Sequence, residues 1–201
     1  MSPLEKFRAI LLFGPPGSGK GSVGKVLSFL QIGMHISSGD LFRSLPPQSK
    51  MGKLFREKEE LGLLVPDEIS ITIFEQHLER LARKHRLQKK EDLLILDGIP
   101  RTEKQVDLLQ KNIEVKNIFY LHVQNTDTLV KRIGRRAKAQ KRTDDQNRAV
   151  IQTRIREYEE KTASILKKYP SSLITTICAD QPLANVLQTI LNLLLNEEKH
   201  E

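Results

Sequence analysis

The residues with the clearest chemical potential lie near the N-terminus, in the glycine-rich segment 14–20, which reads GPPGSGK. It matches the pattern G-x-x-x-x-G-K, after an apolar run and before a helical pattern. In such a loop, backbone N–H groups converge on phosphate oxygens, and the helix N-terminus adds a favourable dipole. Lys20 supplies a positive charge, Gly21 takes the usual Ser/Thr position, and a hydroxyl follows at Ser22. We therefore expect a nucleoside triphosphate site here, rather than a glycine-rich turn without a ligand.

A single carboxylate, Asp97, lies at the predicted end of a buried strand, where a magnesium ion could be held. Asp97 follows the apolar run 93–96 and precedes Gly98. Ligands of open α/β sheets bind at the carboxyl ends of the strands. Mg²⁺ keeps several waters and takes few protein ligands, so one carboxylate is enough to organise it beside a triphosphate. We expect Asp97 to hold Mg²⁺ through water, and the alternative is a residue that only forms a turn.

Basic residues are concentrated between Lys131 and Arg142, where seven Lys or Arg occur without an acid. Arg132 and Arg136 are four residues apart and share one face of a helix. Guanidinium groups form two-pronged contacts with phosphate better than lysines do. We therefore expect these arginines to contact phosphate groups of a ligand. The alternatives are a solvated helix face and a contact with nucleic acid. The latter usually includes aromatic residues that stack on bases, and this stretch has none.

Alternating strands and helices are predicted to position these groups. Short apolar runs bounded by Gly, Pro or Asp predict strands over 7–13, 34–36, 93–96, 118–123 and 173–178. Helices are predicted between them and over 183–195, and the mostly helical stretch 41–87 is interrupted at 46–47 and 62–66. Asp67 is predicted to be the N-cap of the helix that follows. This order favours an α/β fold with a parallel sheet covered on both faces.

Composition narrows the class of protein. The 201 residues carry 33 Lys and Arg against 25 Asp and Glu, a formal net charge of +8, which suits small anionic ligands. The single cysteine, Cys178, excludes an internal disulfide and a multi-cysteine zinc site. No apolar run approaches the roughly 20 residues that span a bilayer. We expect a cytoplasmic protein without a signal peptide.

The chain resembles adenylate kinases and their nucleoside monophosphate kinase relatives. The resemblance begins at the loop, which continues as Gly-Lys-Gly-Ser, and it extends in the family's order from about residue 10 to 195. It rests on segments 14–22, 37–43, 63–67, 97–105, 132–136, 142–145, 154–158 and 179–182. It implies a three-layer α/β P-loop kinase fold with a five-stranded parallel sheet flanked by helices, in one domain over 1–201. The core would be 1–40, 89–133 and 144–201, with a helical acceptor-binding insertion at 41–88. A short lid at 134–143 would lack structural zinc.

The same resemblance implies roles for individual residues. ATP binding is expected from Gly17, Ser18, Gly19, Lys20, Gly21, Ser22, Arg132 and Gln181. Binding of the acceptor monophosphate is expected from Ser38, Arg43, Leu63, Leu64, Val65, Gly98, Ile99, Pro100, Arg101, Gln105, Arg142 and Arg154. The catalytic set is Lys20, Arg101, Arg132, Arg136, Arg142 and Arg154, and Asp97 is expected to hold Mg²⁺ through water. If the match to the family is shifted by one residue, Arg135 or Arg156 would take the place of a neighbouring lid arginine.

The implied reaction is the reversible, Mg²⁺-dependent transfer of a phosphoryl group from ATP to AMP, which gives two ADP. Thr102 and Gln105 after Arg101 favour AMP, because an amide can pair with the N1 and N6 edge of adenine. Ile99 and Leu63 depart from the family's usual Phe and Lys. A UMP or CMP kinase and, more distantly, a nucleic-acid-binding P-loop ATPase are the alternatives. We expect a monomer with small-molecule substrates and neither nucleic acid nor membrane as a partner.

Overall fold

A computed structural model describes residues 6–84, 86–88, 92–140, 145 and 147–197, and within them five parallel strands form one sheet. The strands are β1 (Phe7–Phe13), β2 (Met34–Ser37), β3 (Leu93–Asp97), β4 (Ile113–His122) and β5 (Ile174–Cys178). Their order across the sheet is β2-β3-β1-β4-β5. Parallel neighbours cannot be joined by a tight hairpin, so each connection crosses a face of the sheet, mostly as helix.

The helices follow the predicted alternation. They are α1 (Lys20–Phe29), α2 (Ser38–Arg43), α3 (Lys50–Leu61), α4 (Asp67–Arg83), α5 (Glu103–Leu109), α6 (Thr126–Gln140), α7 (Arg148–Glu157) and α8 (Leu183–Glu197). After α7 the chain widens into a π-helical turn over Tyr158–Thr162, and 3₁₀ turns follow over Ala163–Lys168 and Ser171–Leu173. None of the helices within the described residues is long and apolar enough to cross a membrane.

Both faces of the sheet are buried, as the apolar strands predict. Ala9 and Leu11 of β1 lie in a core that includes Phe74 of α4. On the opposite face, Ile10 packs in a second core with Leu27 of α1 and residues of α8. Each large apolar side chain buried in this way contributes about 1.5–3 kcal/mol relative to exposure. The five-stranded, three-layer α/β architecture is confirmed.

The register of the central strands brings the predicted chemical groups to one edge. Asp97, the last residue of β3, lies opposite Leu12 of β1 and Ser37 of β2. The glycine-rich loop leaves the same edge directly after Phe13, and α2 begins at Ser38. Three segments that are far apart in sequence therefore meet at the carboxyl ends of neighbouring strands.

The insertion has a small apolar core of its own. Leu41 and Phe42 from α2 pack with Phe55 of α3, and the rings of the two phenylalanines lie 5.5 Å apart. Val65 and Ile73 complete this cluster from the far side. The predicted interruptions at 46–47 and 62–66 are confirmed, since they separate α2, α3 and α4. The boundary of the insertion at 41–88 remains a prediction.

Several predicted boundaries are wrong. β2 and β3 each end one residue later than predicted, at Ser37 and Asp97, and β4 ends one residue earlier, at His122. Asp67 is the first residue of α4 and its N-cap is Pro66, because the Asp67 carboxylate accepts a hydrogen bond from Gln105 instead of from its own helix. β4 begins at Ile113 rather than 118, because backbone pairing with β1 continues through polar residues that break the apolar pattern. Leu173 belongs to a 3₁₀ turn, so β5 begins one residue later.

Candidate active site

The glycine-rich loop curls around the side chain of its own lysine. The Lys20 ammonium donates hydrogen bonds to the carbonyl oxygens of Gly14 at 2.7 Å and Pro15 at 3.0 Å. Gly14 has a φ of 143°, and a Cβ there would lie 2.6 Å from the carbonyl oxygen of Leu121. A larger residue at that position is excluded by both conformation and space. The backbone of the loop thus packs tightly against its neighbours, as in a loop that binds phosphate through its N–H groups.

Lys20 lies in a strongly cationic environment. Burial lowers the pKa of Lys20 to about 8, and only Asp97 acts in the opposite direction among its charged neighbours. The guanidinium groups that lower it further belong to Arg101, Arg136 and Arg154. Several positive charges facing one carboxylate make the site deficient in negative charge. An anionic ligand such as a triphosphate would supply what is missing.

Among the described residues, Asp97 is the carboxylate that faces this lysine. Burial acts to raise the pKa of Asp97, but His35, Lys20 and Arg101 together hold it below its ordinary value. His35 Nε2 is the ring nitrogen nearest to it, at 3.9 Å from Asp97 Oδ2, which is too long for a hydrogen bond. Asp97 is therefore a carboxylate that remains ionised although it is buried.

The surroundings of Asp97 fit a magnesium ion that is held mainly by phosphates and water. A Cβ at Gly21 would lie 3.4 Å from Asp97 Oδ2, so this glycine leaves space between the loop and the carboxylate. Across the described residues, no group of three or more His, Cys, Asp or Glu side chains could enclose a metal ion. A single carboxylate beside a phosphate loop matches the preference of Mg²⁺ for few protein ligands.

Arg101 is held at three of its polar groups. Its Nε donates to the carbonyl of Gly98 at 2.8 Å, and its backbone N–H donates to Gln105 Oε1 at 2.7 Å. Its carbonyl accepts from Thr162 Oγ1 at 2.9 Å. Burial, together with nearby Arg154, lowers the pKa of Arg101 to about 10. The guanidinium is thus positioned in the cavity before any ligand arrives.

Arg43 faces the same cavity from the insertion. It pairs with Glu59 at 2.9 Å and with Asp40 at 2.7 Å. Burial acts to lower the pKa of Arg43, but the hydrogen bonds to these two carboxylates outweigh it and raise the pKa. Ser38 lies nearby and donates to the carbonyl of Gly98 at 2.6 Å. Arg43 must exchange carboxylate partners for phosphate if it binds the acceptor.

Two of the predicted lid arginines share one buried acid. Arg136 donates to both carboxylate oxygens of Asp145, from Nε at 2.8 Å and from Nη2 at 3.0 Å. Arg154 Nη1 donates to Asp145 Oδ1 at 2.6 Å. The Asp145 side chain is 0% exposed, so both guanidinium groups are held at one point. α6 and α7 are joined through this contact.

One cavity of about 740 Å³ gathers the predicted site residues. Every predicted site residue that falls within the described residues lines it. These include the glycine-rich loop from Gly17, Ser38, residues 98–101, Gln105 and Gln181. Arg142, predicted to be both catalytic and acceptor-binding, lies outside the described residues. Arg135 also lines the cavity, whereas Arg156 is exposed and does not. Of Arg154 and Arg156, it is therefore Arg154 that lies at the cavity.

Several residues in and around this site had no catalytic or binding role in the sequence-based prediction, and four of them are informative. Asp67 and Asp145 lay inside recognised segments, but a pattern does not show which partner a carboxylate takes. His35 sits one strand away from Asp97, and only the sheet order makes them neighbours. Thr162 contacts Arg101 across 61 residues, for which the local sequence has no signal.

The fold and the site together define a class. A glycine-rich loop between β1 and α1 of a parallel sheet, opening on a cationic cavity with one ionised carboxylate, is the arrangement of a P-loop phosphotransferase.

Comparison with known proteins identifies the family. The family model described as adenylate kinase matches residues 12–174. The chain is 35% identical over 187 residues to an adenylate kinase of Cyanothece sp., covering 90% of this chain and 92% of that one. It is 33% identical over 166 residues to one of Corynebacterium urealyticum, at 82% and 87% coverage. An adenylate kinase of Ureaplasma urealyticum is 31% identical over 216 residues, at 92% and 97%. The chain belongs to the adenylate kinase family and is a phosphotransferase.

Proposed function

We propose that this chain transfers the γ-phosphoryl group of ATP to AMP, reversibly, and forms two molecules of ADP. The observation that carries the proposal is the convergence of Lys20, Arg101 and Arg136 on one cavity between the phosphate loop and the insertion. Phosphoryl transfer requires positioning and neutralisation of charge more than covalent chemistry. This cavity offers both.

Each side of the cavity has its own task in this proposal. The loop and Lys20 bind the β- and γ-phosphates of ATP, and Gln181 lies at the edge where the adenine of ATP would sit. Arg43 and Arg101 bind the phosphate of AMP. Arg132 and Arg136 on α6, with Arg154 on α7, close on the phosphoryl group in transit. A general base is not required, because the attacking atom is a phosphate oxygen that is already ionised at neutral pH.

Asp97 is the residue that would hold magnesium, through water, beside the phosphates of ATP. When bound, the ion supplies charge neutralisation on the β- and γ-oxygens. The chain's own contribution is to keep the Asp97 carboxylate ionised at the end of β3, where Lys20 and Arg101 lower its pKa. The glycine at position 21 keeps the intervening space open.

Closure of the lid is part of the proposal, since water would otherwise compete with AMP for the phosphoryl group. Arg136 and Arg154 are linked through Asp145, so movement of α6 and α7 brings both guanidinium groups to the phosphates together. Closure over both substrates excludes water and completes the site only when the acceptor is present.

The identity of the acceptor rests on Gln105. Its carboxamide lines the cavity at the base of the insertion, next to Arg101. An amide offers one donor and one acceptor to the N1 and N6 edge of adenine. The loop, the acceptor pocket and the three arginines belong to one chain, which supports a monomer as the working unit. A cytoplasmic location remains a prediction.

The experiment that tests the proposal compares four acceptors at equal concentration. ADP formation from Mg·ATP is measured with AMP, UMP, CMP and GMP in a coupled assay, with and without EDTA. We expect AMP to be used at least tenfold faster than the others, and EDTA to abolish the reaction. The Lys20→Met variant should be inactive with every acceptor. The control variant Lys84→Met removes an exposed lysine at the end of α4 and should behave as the wild type. Faster use of UMP or CMP than AMP would overturn the assignment of the acceptor.

A further inference from the structure

The carboxamide of Gln105 is held at both of its polar atoms by groups of opposite type. Oε1 accepts a hydrogen bond from the backbone N–H of Arg101 at 2.7 Å. Nε2 donates one to Oδ1 of Asp67 at 2.8 Å. The Gln105 side chain comes from α5, whereas Asp67 is the first residue of α4, 38 residues earlier in the chain. Gln105 is 2% exposed and is one of the residues that line the cavity.

These two partners permit one orientation of the amide. A backbone N–H only donates, and an ionised carboxylate only accepts. A rotation of the Gln105 amide by 180° would place its NH₂ against the Arg101 N–H and its carbonyl oxygen against the Asp67 carboxylate. Two hydrogen bonds would be lost and two repulsive contacts would form in a buried place, where unpaired polar groups are costly. The fold therefore decides which end of the amide is the donor.

One donor and one acceptor valence of the amide remain after these contacts. A carboxamide has two N–H groups and two lone pairs on its oxygen, and Asp67 and Arg101 use one of each. A 6-aminopurine presents an acceptor at N1 and a donor at N6. A 6-oxopurine in the same pose presents a donor at N1 and an acceptor at O6, so it requires the opposite orientation of the amide.

We propose that Asp67 is a specificity-determining positioning residue, which holds the Gln105 amide in the orientation that pairs with a 6-aminopurine and rejects a 6-oxopurine. This inference rests on the proposed function, in which AMP is the acceptor. Asp67 acts through Gln105 and does not itself contact the substrate. Its role also explains why this carboxylate, although it stands at the start of α4, does not cap that helix.

The test uses AMP and inosine monophosphate, which differ only at the 6-position and in the proton on N1. The ratio of kcat/KM for AMP to that for inosine monophosphate is measured in the wild type and in Asp67→Asn. Asparagine can donate as well as accept, so one of the two repulsive contacts disappears when the amide is reversed. We expect the ratio to fall at least tenfold, and part of the fall to come from faster use of inosine monophosphate.

The matched control is Glu68→Gln, in the same first turn of α4. The Glu68 carboxylate is exposed and pairs with Lys104, so its loss removes an equal charge without touching Gln105. Its ratio should equal that of the wild type. If Asp67→Asn does not fold, Asp67→Ser tests the same point, because a hydroxyl also donates and accepts and a serine is tolerated at a helix start.

The outcomes are distinct from those of the proposed function. If the wild type does not prefer AMP to pyrimidine monophosphates, the proposed function fails before any variant is made. If the wild type prefers AMP and the Asp67 variants lose rate with AMP and inosine monophosphate in equal proportion, the role of Asp67 is structural and the inference is overturned. A selective fall in the ratio, absent in Glu68→Gln, supports it.

Discussion

At the scale of single residues, the most consequential feature of the cavity is the group of four cations Lys20, Arg101, Arg136 and Arg154, which Asp97 and Asp145 compensate only in part. Lys20 illustrates the consequence, since burial among arginines lowers its pKa to about 8. We therefore expect Lys20 to lose its proton in the free enzyme as the pH rises through about 8. A bound triphosphate favours the charged ammonium and raises this pKa again.

Binding of ATP is therefore expected to take up protons near pH 8. Calorimetric titrations at pH 8, in buffers with different enthalpies of ionisation, should show uptake of up to about half a proton per ATP, because binding converts neutral Lys20 to the ammonium form. The affinity for ATP should fall as the pH rises above 8. In Lys20→Met the uptake should be absent. Uptake of the same size in that variant would show that another group is responsible.

Gln105 allows a second prediction at this scale. Replacement by alanine removes the amide that we expect to pair with the acceptor base, which costs roughly 1–3 kcal/mol. The KM for AMP should therefore increase about 5- to 150-fold, while the KM for ATP changes much less. Steady-state kinetics with each substrate varied in turn measures both constants. Equal increases in the two KM values would show that Gln105 does not read the base.

At the scale of helices and loops, the decisive contact is the one between Asp145 and two arginines. It joins α6 to α7, and the Asp145 side chain is fully buried while the two arginines are partly buried. Removal of one partner from a buried charged group typically costs about 3–5 kcal/mol, because the remaining charges are left without compensation. Arg136 and Arg154 would then repel each other.

We expect Asp145→Asn to lower the free energy of unfolding by about 3 kcal/mol, at the lower end of that range because the amide retains some hydrogen bonding. Turnover should fall more than tenfold, since both arginines lose their position, whereas the Kd for ATP should change less. Urea unfolding, turnover and ATP titration on one preparation provide these values. Glu159→Gln, an exposed neutralisation in the adjoining π-helical turn, serves as the control. Unchanged turnover in Asp145→Asn would contradict the role of this contact in the lid.

The elements also show what sequence can and cannot predict. The loop at 14–20 and the strand before Asp97 were predictable, because glycine, lysine and apolar residues report directly on a tight turn and a buried strand. The first half of β4 was not, since Glu114 and Asn117 are polar although they pair with β1, and the polar Lys116 lies at a register shift between them. The partner of Asp67 was not predictable either. A carboxylate at a helix start favours a cap on average, and tertiary contact with Gln105 overrides that tendency.

At the scale of the whole molecule, the sheet brings distant segments to one edge, where the glycine-rich loop, Asp97 and the start of α2 meet. The groups that would accelerate transfer to AMP would equally accelerate transfer to water if they assembled early. The proposal therefore depends on closure over both substrates, with water excluded during transfer. The net charge of +8 is compatible with this role, since a cavity for two phosphorylated nucleotides requires positive charge.

The most direct test of the central claim follows the γ-phosphoryl group itself. ATP labelled with ³²P at the γ-position is incubated with the protein, Mg²⁺ and AMP, and the products are separated by chromatography. Transfer inside a closed cavity predicts that the label appears in the β-phosphate of ADP, with negligible inorganic phosphate, and that omission of AMP leaves the ATP intact. Release of the label as inorganic phosphate, at a rate that AMP does not change, would contradict the account and indicate an ATPase.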